Sequence, residues 1–358
     1  RVTGGHRPPL QQPWQLSTCD RRSQTAATED MLMYLPATYV TALIMTVFSA
    51  VFWGSWANTY KGVKNYRFEL FYWDYIVGVV VVSLIFAFTL GSHGSSGQPL
   101  LLNLHTGDTV NLVDAFAGGF IFNIANLLLV AGIDMVGLAV AFPVSIGIAV
   151  IEGVALSYIL QPKGNLAYLA GGVVLALAAI VLDAMAYKSL QKERRAVSRQ
   201  GIVICVVSGI LMGAFAPFVT RALTHGHALT PYSIVALFSI GALVSCFVVN
   251  IYLMRHPLVG TPVNFSGFWR ARGMDHLLGF SGGIVWGLGT TFNFVAAGFA
   301  GVAIAYAIGQ SSPMIAALWG LIAWKEFAGA SRKAYTYLVL MFVFYILAVV
   351  LIAMAYQG

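Results

Sequence analysis

Ten long apolar stretches, separated by short polar segments, run through this chain of 358 residues. A helix needs about 20 mostly apolar residues to cross the hydrocarbon core of a bilayer, and lipid offers no partner for an unpaired backbone amide. The pattern therefore predicts an all-α polytopic membrane protein with ten transmembrane helices. The first five predicted spans cover roughly 37–58, 70–90, 112–133, 135–160 and 166–187, and the second five cover roughly 201–220, 231–254, 277–298, 300–324 and 334–357.

An internal repeat organises these spans, because the pattern of residues 117–160 returns 164 positions later at 281–324. Phe122 recurs as Trp286, Gly118-Gly119 as Gly282-Gly283, and Gly137-x-Ala139-x-Ala141 as Gly301-x-Ala303-x-Ala305. Since five is odd, a second copy of five spans must enter the membrane in the opposite direction. We predict two inverted five-helix repeats, 37–187 and 201–358, joined by a basic linker at 188–200. In this architecture many secondary transporters bind substrate near the midplane, where the halves meet.

Basic residues predict the orientation. Charged residues make up 9% of the chain, and the loops after the odd-numbered spans contain fourteen Lys and Arg against two in the loops of the opposite side. The positive-inside rule places the odd-numbered loops, including 188–200, in the cytoplasm and both termini outside. We expect a multi-pass protein of the cell membrane. The net charge of +7 needs no nucleic-acid partner, because the loops account for it.

Residues 1–36 differ in composition from the rest of the chain and contain no apolar run long enough for a signal peptide. We interpret them as a disordered tail, or as an upstream extension preceding a start near Met31 or Met33. The cysteines share no metal-ligand spacing, so neither a cofactor nor a metal is predicted.

Several segments resemble the ureide permease family of the drug/metabolite transporter superfamily, which lies near the bacterial glucose, ribose and rhamnose porters. The resemblance extends from about residue 39 to the end of the chain. The segments are FWGSWANTYK at 52–61, FYWDY at 71–75, AFTLG at 87–91, AGGFIFNIANLL at 117–128, HPLVGTP at 256–262 and WKEF…SRKAY at 324–335.

This resemblance implies a ten-helix carrier for allantoin and related oxo-purines or pyrimidines, driven by protons. Two features depart from the plant members. Their long central loop with a nucleotide-binding-like motif is replaced by the short segment 188–200, and Phe142-Pro143 stand where they tend to carry an acidic residue early in the fourth span.

Glu152 is the first candidate for coupling to a proton or to sodium. It lies near the middle of the fourth span, where an ionised carboxylate costs at least about 2.5 kcal/mol on insertion scales. We interpret it either as a coupling site facing a wet cavity or as a protonated carboxyl bonded to a neighbouring helix. Its repeat equivalent is Ala316, so coupling would run through the first half.

Asp74 is the second candidate for ion coupling. Like Asp183, it lies near the cytoplasmic end of its span, where a carboxylate is expected to pair with Lys64, Arg67 or Lys188. Asp74 also stands in the family-like FYWDY segment.

Neutral polar and aromatic side chains inside the spans are candidates for binding an uncharged solute. Amide and hydroxyl groups can donate to and accept from ring amides, carbonyls or sugar hydroxyls; the alternative is bonding between helices. The aromatic rings would stack on a planar solute. The candidates are Asn58, Asn123, Asn126, Ser145, Trp286, Thr290, Asn293, Tyr306 and Gln310. Pro143 and Pro313 would each interrupt a span, by a break that lines the cavity or by a kink.

A secondary active transporter of a small polar metabolite, such as a ureide or nucleobase-like compound, is therefore the leading interpretation. A sugar porter or drug exporter of the same superfamily is the alternative, and the pattern excludes neither a channel nor a scaffold. An intramembrane enzyme is a remote possibility, since no H-E-x-x-H motif or Ser-His pair stands within the spans and every histidine is expected in a loop or the tail. We therefore predict that the protein is not an enzyme.

Overall fold

The computed structural model describes residues 33–94, 96–190 and 198–356, apart from the side chain of Leu138. Within these ranges ten helices are long and apolar enough to cross a membrane, which confirms the predicted fold class. The spans of the first half are Tyr39–Lys61, Phe68–Phe88, Thr109–Val136, Leu138–Leu160 and Leu166–Lys188. Those of the second half are Arg199–Thr224, Pro231–Arg255, Gly273–Ala300, Val302–Ile322 and Arg332–Met354.

The two predicted non-helical segments fall mostly outside the described residues. Of the tail at 1–36, residues 33–36 are described, and Met33 forms an isolated antiparallel bridge with Ser96. Of the linker at 188–200, residues 191–197 lie outside the described ranges. Two short helices, Leu100–Thr106 and Phe265–Trp269, lie between spans.

Side-chain caps begin several spans at the positions where the apolar runs begin. The hydroxyl oxygen of Thr38 accepts a hydrogen bond from the backbone N–H of Thr41 at 3.2 Å, and Asn165 caps the fifth span in the same way through the N–H of Ala167 at 2.9 Å. Such caps satisfy amides that have no partner in the first turn of a helix.

Three spans are not continuous α-helices. The ninth consists of Val302–Gly309 and Ser312–Ile322, with the break just before Pro313, which has no amide hydrogen to continue the ladder. The first is broken at Trp56, and the seventh contains a π-helical turn at Cys246–Asn250. Pro143, in contrast, lies inside the unbroken fourth helix.

The main contacts between spans join the two halves, and they match when the halves are exchanged. The third span packs against the sixth and seventh, and the eighth packs against the first and second. The fourth span packs on the sixth as the ninth packs on the first, while the fifth meets the tenth and the second meets the seventh.

Two glycines at equivalent positions of the sequence repeat allow the closest of these contacts. A Cβ atom built on Gly119 of the third span would lie 1.9 Å from the carbonyl oxygen of Phe238, and one on Gly283 of the eighth would lie 1.9 Å from that of Tyr75. A side chain at either position would therefore push two spans apart. This close approach aims the residues one turn later, Phe122 and Trp286, into the centre of the protein.

Candidate functional site

A cavity of about 400 Å³ lies at the centre of the helix bundle. It is bounded mainly by the first, third, fourth, sixth, eighth and ninth spans, with Phe68 of the second span and Tyr187 of the fifth, and thus by both halves of the chain. Its walls are mainly apolar, and six of the aromatic side chains in them are Trp53, Trp56, Phe122, Phe142, Phe215 and Trp286.

The rings of Phe122 and Trp286 are stacked, with centroids 4.9 Å apart and planes inclined by 26°. Trp53 lies nearly parallel to Trp286 at 6.3 Å, and its indole N–H donates to the hydroxyl of Thr290 at 3.1 Å. This bond sets the tilt of Trp53. The cavity is therefore suited to a solute with a flat face, because ring faces gain energy from offset stacking.

A few polar side chains interrupt these aromatic walls. Asn58, Asn126, Gln310 and Ser312 line the cavity. The amide of Asn58 is engaged, because its oxygen accepts from the indole N–H of Trp324 at 2.5 Å and its nitrogen donates to the carbonyl of Ser55 at 2.9 Å. Gln310 makes no side-chain hydrogen bond to the described part of the chain and is free to bind a solute.

One end of the cavity carries charge. Lys61 forms an ion pair with Glu326, and the hydroxyl of Tyr187 donates to the same carboxylate at 3.1 Å. Gly320 makes room for this carboxylate, since a Cβ there would lie 2.5 Å from its Oε2 atom. These residues, with Asp134, lie toward the loops that follow the odd-numbered spans, so the lining of the cavity extends to that end of the bundle.

A second cavity of about 280 Å³ adjoins the first, and Tyr60, Phe68, Val130 and Asp134 line both. Arg67 lies at its edge, where the guanidinium donates to the carbonyl oxygen of Thr261 at 2.8 Å and pairs with Glu69. The hydrogen bond with Glu69 raises the pKa of Arg67, which stays charged.

The opposite end of the bundle is closed by side-chain packing. Tyr39 stacks on Tyr356 with ring centroids 3.9 Å apart and planes only 5° apart. Lys163 donates to the carbonyl oxygen of Phe299 at the end of the eighth span, and its ammonium lies 5.8 Å from the ring centre of Tyr356. Burial at this position lowers the pKa of Lys163.

The predicted solute-binding residues divide into two groups. Asn58, Asn126, Trp286 and Gln310 line the cavity. The others are buried outside its lining and bond neighbouring groups: Asn123 to Tyr72 and Ser245, Ser145 to Cys205, Thr290 to Trp53 and Trp286, Asn293 to Ala305, and Tyr306 to Ala149 and Met212.

Glu152 is half-buried and lies outside the lining of both cavities. Its side chain fills the space above Gly213 of the sixth span, where a Cβ would lie 2.8 Å from that of Glu152. It thus stands one layer behind the cavity wall that Met212 and Phe215 form.

Asp74 has other partners than the basic residues expected from the sequence. Its carboxylate accepts from the hydroxyl of Tyr66 at 2.8 Å and lies 2.9 Å from Nδ1 of His276. His276, expected in a loop, belongs to the first turn of the eighth span. Asp183 is 3% exposed, and its Oδ1 atom has no hydrogen-bond partner among the described residues.

Several residues of the site could not be identified from the residue pattern. Lys61 and Glu326 are 265 positions apart, and no local pattern joins them. Phe122 had a usable signal, because the repeat pairs it with Trp286. In the described ranges no group of three His, Cys, Asp or Glu side chains could hold a metal ion.

Comparisons with known proteins agree on one family. The family model described as Ureide permease matches residues 71–200 and 194–355. Ureide permease 1 of Arabidopsis thaliana is 27% identical over 352 residues, with 80% of this chain and 89% of the relative covered. Ureide permease 2 of the same plant is 24% identical over 360 residues, with the same coverage. Probable ureide permease A3 of Vigna unguiculata is 23% identical over 340 residues, covering 74% and 89%.

A solved crystal structure of a 13% identical protein has the same fold. It superposes with a TM-score of 0.60 over 87% of this chain and 97% of its own.

Proposed function

We propose that this chain, which belongs to the ureide permease family, is a secondary active transporter that moves a ureide or nucleobase-like solute across the cell membrane. The names of the relatives support the solute class. The observation that carries the proposal is the central cavity, where stacked aromatic rings meet the amides of Asn126 and Gln310. A volume of about 400 Å³ suits a small planar metabolite.

The mechanism we propose is alternating access between two inverted repeats. The paired packing of the spans supports it, because exchanging the halves converts the main contacts named above into one another or leaves them unchanged. Gly137 and Gly301, at equivalent positions of the sequence repeat, support it too. Both link consecutive spans with a positive φ, 82° and 95°, which favours glycine. The wider superfamily assignment belongs to this proposal as well.

The conformation described would be open to the cytoplasm. With the odd-numbered loops inside and both termini outside, the charged end of the cavity faces the cytoplasm and the packed end at Tyr39 and Tyr356 faces out. Transport would require these two ends to open and close in turn.

We further propose that Glu152 couples transport to a proton. Its side chain lies between the fourth and sixth spans, against Gly213. A relative movement of these spans would change its access to water. Asp74 is the second coupling candidate. Its bond to His276 joins the second span to the eighth, and Tyr66, just before the second span, donates to the same carboxylate.

A ligand panel tests the function directly. The purified protein is heated with allantoin, uracil, xanthine, ribose or glucose, and the hits are then measured for uptake into proteoliposomes. Stabilisation and uptake of allantoin or of a nucleobase support the proposal. A response to the sugars alone contradicts it and favours a sugar porter.

A further inference from the structure

A chain of buried hydrogen bonds runs from the cavity into the protein behind Asn126. The side-chain nitrogen of Asn126 donates to the hydroxyl of Tyr72 at 2.9 Å, and this hydroxyl donates to the oxygen of Asn123 at 2.7 Å. The nitrogen of Asn123 in turn donates to the hydroxyl of Ser245 at 3.1 Å and to the sulfur of Cys246 at 3.4 Å. Tyr72 and Asn123 are completely buried.

The direction of these bonds determines which atom of Asn126 faces the cavity. A phenolic hydroxyl has a single hydrogen, and Tyr72 gives its own to Asn123. It can therefore only accept from Asn126, which must turn its NH₂ group toward Tyr72. The oxygen of Asn126 is left, and it has no partner in the described part of the chain.

This oxygen is not sealed inside the protein. Asn126 lines the cavity and is 6% exposed. Its oxygen, which has no partner among the described residues, is not fully buried. It is thus a hydrogen-bond acceptor of set orientation, beside the stacked rings of Phe122 and Trp286.

We propose that Tyr72 is a positioning residue that holds Asn126 as an acceptor, so that the cavity selects planar solutes presenting a ring-amide or ureido N–H at this point. The inference rests on the proposed function and deepens it by naming the group that is recognised. Gln310 supplies the adaptable contact, because its amide has no partner among the described residues and can turn toward a solute carbonyl.

Hydantoin and its N-methyl derivatives are the probes for this proposal. They keep one flat ring and lose one or both N–H donors. The affinity of the purified protein for hydantoin, 1-methylhydantoin, 3-methylhydantoin and 1,3-dimethylhydantoin is measured by calorimetry. 5-Methylhydantoin is the control for bulk, because its methyl group leaves both N–H groups in place.

In the natural protein we expect the dimethyl compound to bind at least about tenfold more weakly than hydantoin, because it would cover the oxygen of Asn126, which then loses its water without gaining a hydrogen bond. One monomethyl isomer should show most of this loss, and 5-methylhydantoin should show little of it. Equal affinity of hydantoin and the dimethyl compound would overturn the proposal, even if hydantoin binds and is transported.

Tyr72→Phe tests the positioning role. The variant frees the amide of Asn126 to rotate, so the preference for N–H donors should fall to about threefold or less, since either orientation then offers one neutral hydrogen bond. Tyr75→Phe is the matched control. Tyr75 is a buried tyrosine of the same span, and its hydroxyl has no partner among the described residues. The control should keep the natural selectivity.

The other possible outcomes also support or overturn the proposal. Natural selectivity in Tyr72→Phe overturns the positioning role. If Tyr72→Phe does not fold, the series of methylated hydantoins on the natural protein still decides whether the oxygen of Asn126 recognises a solute N–H. If no hydantoin binds and no ureide is transported, the proposed function fails and this inference fails with it.

Discussion

Phe122 and Trp286, which occupy equivalent positions of the two sequence repeats, stack on each other with ring centroids 4.9 Å apart. Each follows by one turn a glycine that brings its span against a neighbouring backbone. The residues that the repeat pairs are thus also paired in space, in the wall of the cavity. The proposed solute would bind against these rings.

Removal of the Trp286 ring should weaken solute binding. For Trp286→Ala we expect about a tenfold loss of affinity for the transported ureide, because an aromatic contact contributes about 0.5–1.5 kcal/mol beyond its buried area. Trp286→Phe should recover most of the loss. Trp269→Ala, which removes a tryptophan 79% exposed outside the cavity, is the control in the same titration. An unchanged affinity in Trp286→Ala would exclude stacking at this ring.

The two close-contact glycines should not tolerate a methyl group. Gly119→Ala and Gly283→Ala each place a Cβ 1.9 Å from a carbonyl oxygen and should destabilise the protein by about 1–3 kcal/mol, the usual cost of overpacking. Gly273→Ala is the matched control, because nothing lies within 4 Å of its Cβ position. Thermal unfolding in detergent measures all three. Equal melting temperatures would show that the spans are less tightly packed than described.

The ion pair between Lys61 and Glu326, at the charged end of the cavity, should tolerate an exchange of its two charges. Lys61→Glu and Glu326→Lys each place like charges together and should lower the initial rate of uptake by up to about fivefold, the range for partly exposed pairs worth about 0.2–1 kcal/mol. The double variant restores opposite charges and should regain most of the rate. Independent, additive losses in the double variant would mean that the two residues do not act as a pair.

Neutralising Glu152 should abolish accumulation of the solute driven by a pH gradient but leave exchange of the solute across the membrane. One unit of pH gradient can support about a tenfold accumulation per coupled proton, since one unit corresponds to about 1.36 kcal/mol. In Glu152→Gln we expect this accumulation to disappear while solute exchange continues. Asp108→Asn, at the start of the third span, keeps a side-chain oxygen that can accept from the backbone N–H of His227 and serves as the control. Undiminished accumulation in Glu152→Gln would remove the coupling role and direct attention to Asp74.

Much of the fold could be predicted because lipid imposes it. Each apolar run had to be a helix, and each appears within a few residues of the expected bounds. The residues of the site were harder to predict. Helical spacing shows which residues share a face of a helix, but not whether that face lines a cavity or packs against another span. Asn123 and Asn126 lie on one face, yet Asn126 reaches the cavity while Asn123 is enclosed by Tyr72 and Ser245. Pro313 accompanies a break and Pro143 does not, although the sequence gives both the same local signal.

Counterflow in proteoliposomes tests the central claim, that this protein is a carrier for ureide-like solutes, most directly. Vesicles loaded with unlabelled allantoin are diluted into a trace of labelled allantoin, with no ion gradient, and the label inside is followed over time. A carrier that alternates between two faces predicts a transient overshoot of label above its equilibrium level, absent from vesicles loaded with buffer or made without protein. Monotonic equilibration unaffected by the internal solute, or no entry of label at all, would contradict the account.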